Sequence, residues 1–214
     1  MTKSKTRQTD RKKLKKISSV GKVKFIIGED QKTKKMITSK MINQKRRRFN
    51  ETNVWDMFSI KDFSQFYFDQ INMNDNSIYK THYSGLFVGD HLIATHFGII
   101  VDDTFYFLMP GQESGIYSKY SPGRLLILEL LKWSTENSIK TFDFTGGPEP
   151  YKEHWTNKEI PIYELSQNLS LHGYIYYKIS NVFLKIKRSS SMQGKVKKIY
   201  LTLKYLKSSI TGKK

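Results

Sequence analysis

Cysteine is absent from all 214 residues, which removes a thiol nucleophile and any disulfide from consideration. A chain without disulfides suits a reducing compartment. No apolar run approaches the roughly 18 residues of a membrane-spanning helix. The basic N-terminus has no apolar stretch behind it of the kind a secretory signal carries. The expected location is therefore cytoplasmic, at most peripheral to the inner face of a membrane. None of the five histidines stands at H-E-x-x-H or another metal-ligand spacing, so no metal is expected. Acid is missing from one whole region: residues 172–214 hold 11 Lys and Arg and no Asp or Glu.

That last absence shapes the charge. Residues 1–50 carry 18 basic against 3 acidic side chains, whereas 51–171 carry 8 against 16. An acidic body sits between two basic arms, within a total of +18. Basic arms either solubilise a chain or attract phosphate-rich surfaces such as tRNA or an anionic membrane. With 38% apolar and 14% aromatic residues, the body can bury a core. The expected organisation is a basic arm or linker over 1–20, a catalytic domain over 21–171, and a basic amphipathic helical tail over 172–214. In the tail, Val196, Ile199, Leu203 and Leu206 recur at helical spacing after a hinge at Ser189–Ser191.

Between the arms, apolar periodicity and turn residues give an ordered set of elements. A short helix is expected at Asp10–Ile17, a strand at Lys22–Ile27 and a helix from Glu29 to Phe49. A second helix, capped by Ser59 or Asp62, carries Phe63, Phe66, Tyr67 and Ile71 as an apolar stripe. Ser77–Val88, His91–Val101 and Thr104–Met109 form a three-strand meander that Pro110-Gly111 stops. Ile160–Ser166 and Leu169–Ile175 are two further expected strands, the second fading into helix.

The stretch from Tyr117 to Trp155 organises the rest. Ser121-Pro122-Gly123 reads as a helix start, with a hydroxyl cap and proline in the first turn. Leu125, Leu126, Ile127, Leu128, Leu130, Leu131 and Trp133 make the helix apolar on nearly every side, so it is buried. Asn137-Ser138 ends it, Lys140–Phe144 follows as a strand, and Gly146-Gly147-Pro148 breaks that strand. Unpaired N–H groups at such a helix start make an anion site, and Gly123 lets a phosphate come close. The same residues also start many ordinary core helices.

This stretch resembles the second half of the GNAT fold, in the CelD/BcsL (BioF2-like) acetyltransferase branch. The residues that carry the resemblance are Tyr120, Ser121-Pro122-Gly123, Leu125-Leu126, Trp133-Ser134, Phe142-Asp143-Phe144, Gly147, Glu149, Tyr151-Lys152 and Trp155. Set against the wider superfamily's Q/R-x-x-G-x-G/A loop, Gly123 takes the last glycine, and Ser118 and Ser121 the earlier positions. The resemblance implies an α+β fold of αβα layers, a mixed, mostly antiparallel sheet with helices on both faces. It implies N-acyl transfer from acetyl-CoA or another acyl-CoA to an amine, by direct attack without a covalent enzyme intermediate.

It also implies roles. The backbone of Leu108 and Met109 would lie along the pantetheine arm, and the turn at Ser121, Gly123, Arg124 and Leu125 would hold the pyrophosphate. Tyr151 would stand near the leaving sulfur, with Asp143 and Glu149 as candidate bases and His96 as an outside choice. Each has a plainer reading: Tyr151 and Trp155 as an aromatic pair, Asp143 as a structural carboxylate, Glu149 as a helix-start charge, His96 as a strand residue. In similar proteins a segment like Asp10–Val23 joins two GNAT halves, so this chain is expected to be a lone half, a fragment, or one of a split pair with a second GNAT half as its partner. The acceptor would be an amine-bearing molecule such as a sugar or cell-envelope precursor. Two alternatives remain. One is a Fem-like aminoacyl-tRNA-dependent transferase, in which Lys152 matches the family lysine. The other is a non-catalytic GNAT-like lobe that binds phosphate-rich partners. The acyltransferase reading expects a pair of strands, one ahead of Pro122 and one around Asp143, to splay over a slot floored by the amino end of the buried helix.

Overall fold

A computed structural model describes residues 4–72, 78–147, 149–163, 165, 167 and 170–188. The described residues fall into two compact units. One comprises residues 4–46 and 58–160; the other draws on residues 47–57 and on the chain after 160.

The first unit is built on a five-stranded sheet in the order β1-β2-β3-β4-β5. Its strands are β1 (Val23–Ile27), β2 (Lys80–Val88), β3 (His91–Val101), β4 (Thr104–Gln112) and β5 (Thr141–Asp143). The first four pair antiparallel, β2, β3 and β4 through short turns at Gly89-Asp90 and Asp102-Asp103 that use positive φ at Gly89 and Asp102. β5 joins parallel, because α4 (Pro122–Glu136) carries the chain back across the sheet before it. This is the mostly antiparallel α+β architecture expected from the sequence.

Alternation along the strands decides what each face meets. One face offers Leu86, Val88, Ile93, Phe105 and Phe107 to α4, whose Leu125, Leu126, Ile127 and Leu130 are buried against the same cluster. Each fully buried leucine there contributes roughly 2 kcal/mol. On the other face Tyr83 and Phe97 lie opposite each other across β2 and β3. Tyr67 of α3 (Lys61–Asp69) meets Phe97 edge-on, with ring centroids 5.2 Å apart. Ile37 and Met41 of α2 (Gln31–Glu51) are fully buried as well.

Several expectations need correction in detail. The helix expected at Asp10–Ile17 is longer, α1 (Ser4–Ser18), and Ile17 is fully buried in the α4-side core. No hydroxyl or carboxylate caps α3; its N-cap is Ile60, with no side-chain hydrogen bond. Only Tyr67 and Ile71 of its aromatic stripe are buried, while Phe63 and Phe66 are exposed. β4 does not stop at Met109 but runs through Pro110-Gly111 to Gln112. A proline is tolerated there because β4 has lost β5 and become an edge strand. At the end of α4 the left-handed residue is Ser138 rather than Asn137.

In the second unit, Leu169–Ile175, expected as a strand fading into helix, is already helical from Leu171, the start of α5 (Leu171–Arg188). Ser170 supplies the missing signal: its hydroxyl accepts from the Gly173 N–H at 3.1 Å, an N-cap bond that commits the chain to helix. The described residues of the expected strand Ile160–Ser166 are irregular. The tail stripe from Val196 to Leu206 and the hinge at Ser189–Ser191 lie outside the described residues.

Candidate functional site

The sheet opens where β4 and β5 part. They pair over only three positions, Thr104 with Thr141, Phe105 with Phe142 and Tyr106 with Asp143. Beyond Tyr106, β4 runs on alone to Gln112, still bonded to β3 on its other side. Just past the parting point β4 bulges: Phe97 faces Met109 and Gly98 faces Phe107, so Leu108 is the extra residue. A bulge frees backbone groups from the ladder and re-aims a side chain. Leu108 is accordingly 40% exposed beside a buried Phe107. Among the described residues no strand pairs with the β5-side edge of β4 at Leu108 and Met109, so their backbone groups face whatever enters the gap.

The far end of β4 is pinned. Gln44 of α2 donates to Leu92 O at 3.2 Å and to Glu113 Oε1 at 3.3 Å, and accepts from Thr95 Oγ1 at 2.7 Å. Lys40 meets Glu113 at 2.7 Å. A Cβ on Gly111 would stand 2.6 Å from Thr95 Oγ1 and 2.7 Å from Gln44 Oε1, so only glycine lets α2 come this near.

The amino end of α4 is already engaged by the chain's own side chains. Ser121 sits at φ 55°, left-handed, and makes no cap bond into the helix. Its hydroxyl oxygen instead accepts from Lys13 Nζ at 2.7 Å. The hydroxyl cap expected there is thus replaced by a contact with α1. The Gly123 N–H donates to Gln112 Oε1 at 3.0 Å. Arg124 grips Asp10 through Nε at 2.5 Å and Nη2 at 2.9 Å, and its guanidinium lies 4.3 Å from the centre of the Trp155 ring. The gap in the sheet is present as expected; the helix end behind it holds Gln112. Leu125, one residue further, is 2% exposed and belongs to the core.

The loop after β5 forms the opposite wall. Asp143 turns it by accepting from the Thr145 N–H at 2.6 Å, with Thr145 left-handed at φ 62°. Lys152 fastens it, donating to the carbonyls of Thr145, Gly146 and Gly147 at 3.1, 3.0 and 3.2 Å and pairing with Glu149 at 2.6 Å. The hydrogen bond from Lys152 holds the Glu149 carboxyl below the usual range. Tyr151 is 37% exposed, with its ring edge toward Phe144 at 6.3 Å. Burial, with Glu149 adding to it, pushes its phenol up to about 12, so it stays protonated at neutral pH. Lys45 of α2, which the sequence marks only as part of the basic run Lys45-Arg46-Arg47-Arg48 toward the end of its helix, is pushed below the usual lysine range by burial, against the pull of the Glu149 charge. Only the fold brings it toward this wall.

Where β4 and β5 part, Leu108 and Met109 thus lie on one strand, and Asp143 with the loop that carries Glu149, Tyr151 and Lys152 follows the other. His96 stands apart. It is fully buried, stacked on Phe107 with centroids 4.3 Å apart and planes 7° from parallel, and has no exposed atom with which to meet a substrate. Among the described residues no cluster has the make-up of a metal site. An open groove of about 420 Å³ lies elsewhere, lined by Phe25, Ile27, Glu29, Glu129, Trp133 and Glu136 among others, and includes none of these residues.

Residues 4–153 match the family model described as an acetyltransferase (GNAT) domain. The chain belongs to the GNAT acetyltransferase family. The five-stranded, mostly antiparallel sheet with its parted β4 and β5 is the GNAT fold, and the enzyme class is acetyltransferase. No curated protein matches the chain. Among solved structures it is similar to an aminoglycoside acetyltransferase from an uncultured soil metagenomic sample, in complex with sisomicin. That likeness has 14% identity and a TM-score of 0.48, over 69% of this chain and 97% of that one. It is also similar to the PaiA N-acetyltransferase of Thermoplasma acidophilum in complex with coenzyme A, at 17% identity and a TM-score of 0.39, over 54% and 75%. Among the described residues of this GNAT chain, no helix is long and apolar enough to cross a membrane.

Proposed function

We propose that this GNAT domain transfers an acyl group, acetyl in the simplest case, from acyl-CoA to an amine by direct attack. The motif run from Tyr120 to Trp155 supports placing it in the CelD/BcsL (BioF2-like) branch. The observation that carries the reading is the free edge of β4 beginning at the Leu108 bulge, where β5 has turned away. An extended amide-bearing arm adds to such an edge as another strand would, through the backbone of Leu108 and Met109.

When bound, the donor supplies an activated thioester carbonyl. The chain's own groups do the rest. Backbone N–H groups freed at the bulge are suited to receive charge developing on a carbonyl oxygen. Tyr151, protonated at neutral pH, is suited to give a proton to a departing thiolate. Glu149 and Asp143 supply negative charge that draws a cationic amine to the opening, and they are the candidate groups to take the proton it loses on attack. Lys45, with its proton held less firmly than usual, is a further candidate to exchange a proton there. The turn at Ser121–Arg124 offers the Gly123 N–H to a phosphate once Gln112 withdraws. Arg124 serves this turn by bracing it against Asp10. The acceptor belongs to the class of amine-bearing molecules, with amino sugars and cell-envelope precursors foremost.

Calorimetry with acetyl-CoA, followed by a thiol-release assay over a panel of amino sugars and small amines, tests the reading. Saturable binding and amine-dependent thiol release are expected. No heat and no thermal shift at millimolar donor would overturn it.

A further inference from the structure

An amphipathic helix in a folded chain ordinarily turns its aliphatic side inward. α5 does the reverse. At 3.6 residues per turn, Leu171, Ile175, Ile179 and Val182 share one side, within an arc of about 80°. They are 73, 50, 56 and 55% exposed. On the opposite side stand Gly173 and Ser180, small residues that are less exposed than nearly all their neighbours in the helix. The small, polar side of the helix is half-buried and the aliphatic side is exposed. No acid balances this surface, since residues 172–214 contain 11 basic and no acidic residues. Tyr174 and Tyr177 add exposed rings with polar tips, and Lys178 lies 5.5 Å from the Tyr174 ring centre.

Three occupants compete for an exposed aliphatic stripe flanked by cations. A second copy of α5 would bring like charge against like charge, with no carboxylate in the region to pair with it. A nucleic acid would use the cations but leave the isoleucines in water. An anionic lipid surface uses both, since the aliphatic side sinks into the acyl boundary while lysines meet headgroup phosphates and tyrosines sit at the interface. We propose that α5 docks this chain on an anionic membrane surface, lying in its plane. This goes beyond the acyl-transfer reading and does not rest on it.

The test is sedimentation of the full chain with phosphatidylcholine vesicles, with and without phosphatidylglycerol, at low and high salt. Binding is expected only with the anionic lipid. The double variant Ile175→Glu/Ile179→Glu, checked by circular dichroism for retained fold, should lose binding roughly tenfold or more. A second variant, Lys185→Gln/Lys187→Gln/Arg188→Gln, leaves the aliphatic side untouched and should lose binding most at low salt. A wild-type chain that stays in solution with both vesicles overturns the proposal. So does equal binding by the Ile→Glu variant, which would assign attraction to charge alone. A wild-type dimer that the Ile→Glu variant turns into monomer, without vesicle binding, would give the stripe to a second copy instead.

Discussion

Asp10 and Arg124, 114 positions apart, form a two-point ion pair that ties the first helix of this GNAT domain to the amino end of α4. Their side chains are only 6 and 19% exposed. Removing one partner of such a buried pair leaves the other charge poorly solvated, at a cost of about 3 kcal/mol. Asp10→Ala should therefore lower the urea midpoint by that equivalent. Donor affinity per folded molecule should fall severalfold if the pair braces the turn. A gain in affinity would instead make Arg124, released from Asp10, a direct phosphate ligand.

Gln112 occupies the Gly123 N–H that a donor phosphate would use. Gln112→Ala removes the competitor, worth about 1 kcal/mol as a neutral hydrogen bond. Calorimetry should show acetyl-CoA bound roughly fivefold tighter. Gly123→Asp should act in the opposite direction, because its carboxylate would repel phosphate. Unchanged affinity in both would show that the donor avoids this turn.

Tyr151 keeps its proton at neutral pH, and the reading asks it to give that proton to the leaving thiolate. Tyr151→Phe should lower kcat by roughly a hundredfold with little change in KM. A variant that loses only stability would return Tyr151 to the role of a packing ring beside Phe144.

His82 and His96 are buried without hydrogen-bond partners, 6.2 Å apart between ring centres. Burial pushes His82 down to about 3 and His96 well below its ordinary value of 6.5, the latter helped by His82 and Lys45. The unfolded chain takes up these protons near 6.5, while the folded chain refuses them until far lower pH. Stability is thus intact above pH 6.5 and falls as the solution is acidified toward 3, by about 1.4 kcal/mol per pH unit for each histidine. Denaturation midpoints measured across that window should show this slope, and His96→Leu should remove one proton's share of it. A flat profile would mean the rings are solvated.

The order of elements was legible because each carried a local signal: alternation in the meander, proline and glycine at the breaks, an apolar run in α4. The parting of β4 and β5 was expected from the family resemblance rather than from the strands' own residues, since the third meander strand was read as ending at Met109 and β4 in fact runs to Gln112. Where local signals misled, a contact distant in sequence had intervened. Ser121 has the residue type of a cap, yet Lys13 holds its hydroxyl and the backbone turns left-handed. Lys152 matched a motif, but its position over three carbonyls and Glu149 depends on how the Thr145 turn closes.

By itself the sequence determined the periodicities, the absence of thiol chemistry, the basic arms and the run from Tyr120 to Trp155 that marks the family. Those properties are local, set by residue type and spacing along the chain. Tertiary structure alone decided that Gln112 meets Gly123, that Asp10 meets Arg124, that Lys45 nears Glu149 and that His96 is sealed in the core. Each of these joins residues whose separation is closed only when α1, α2 and α4 pack on the sheet, so no spacing rule reaches them.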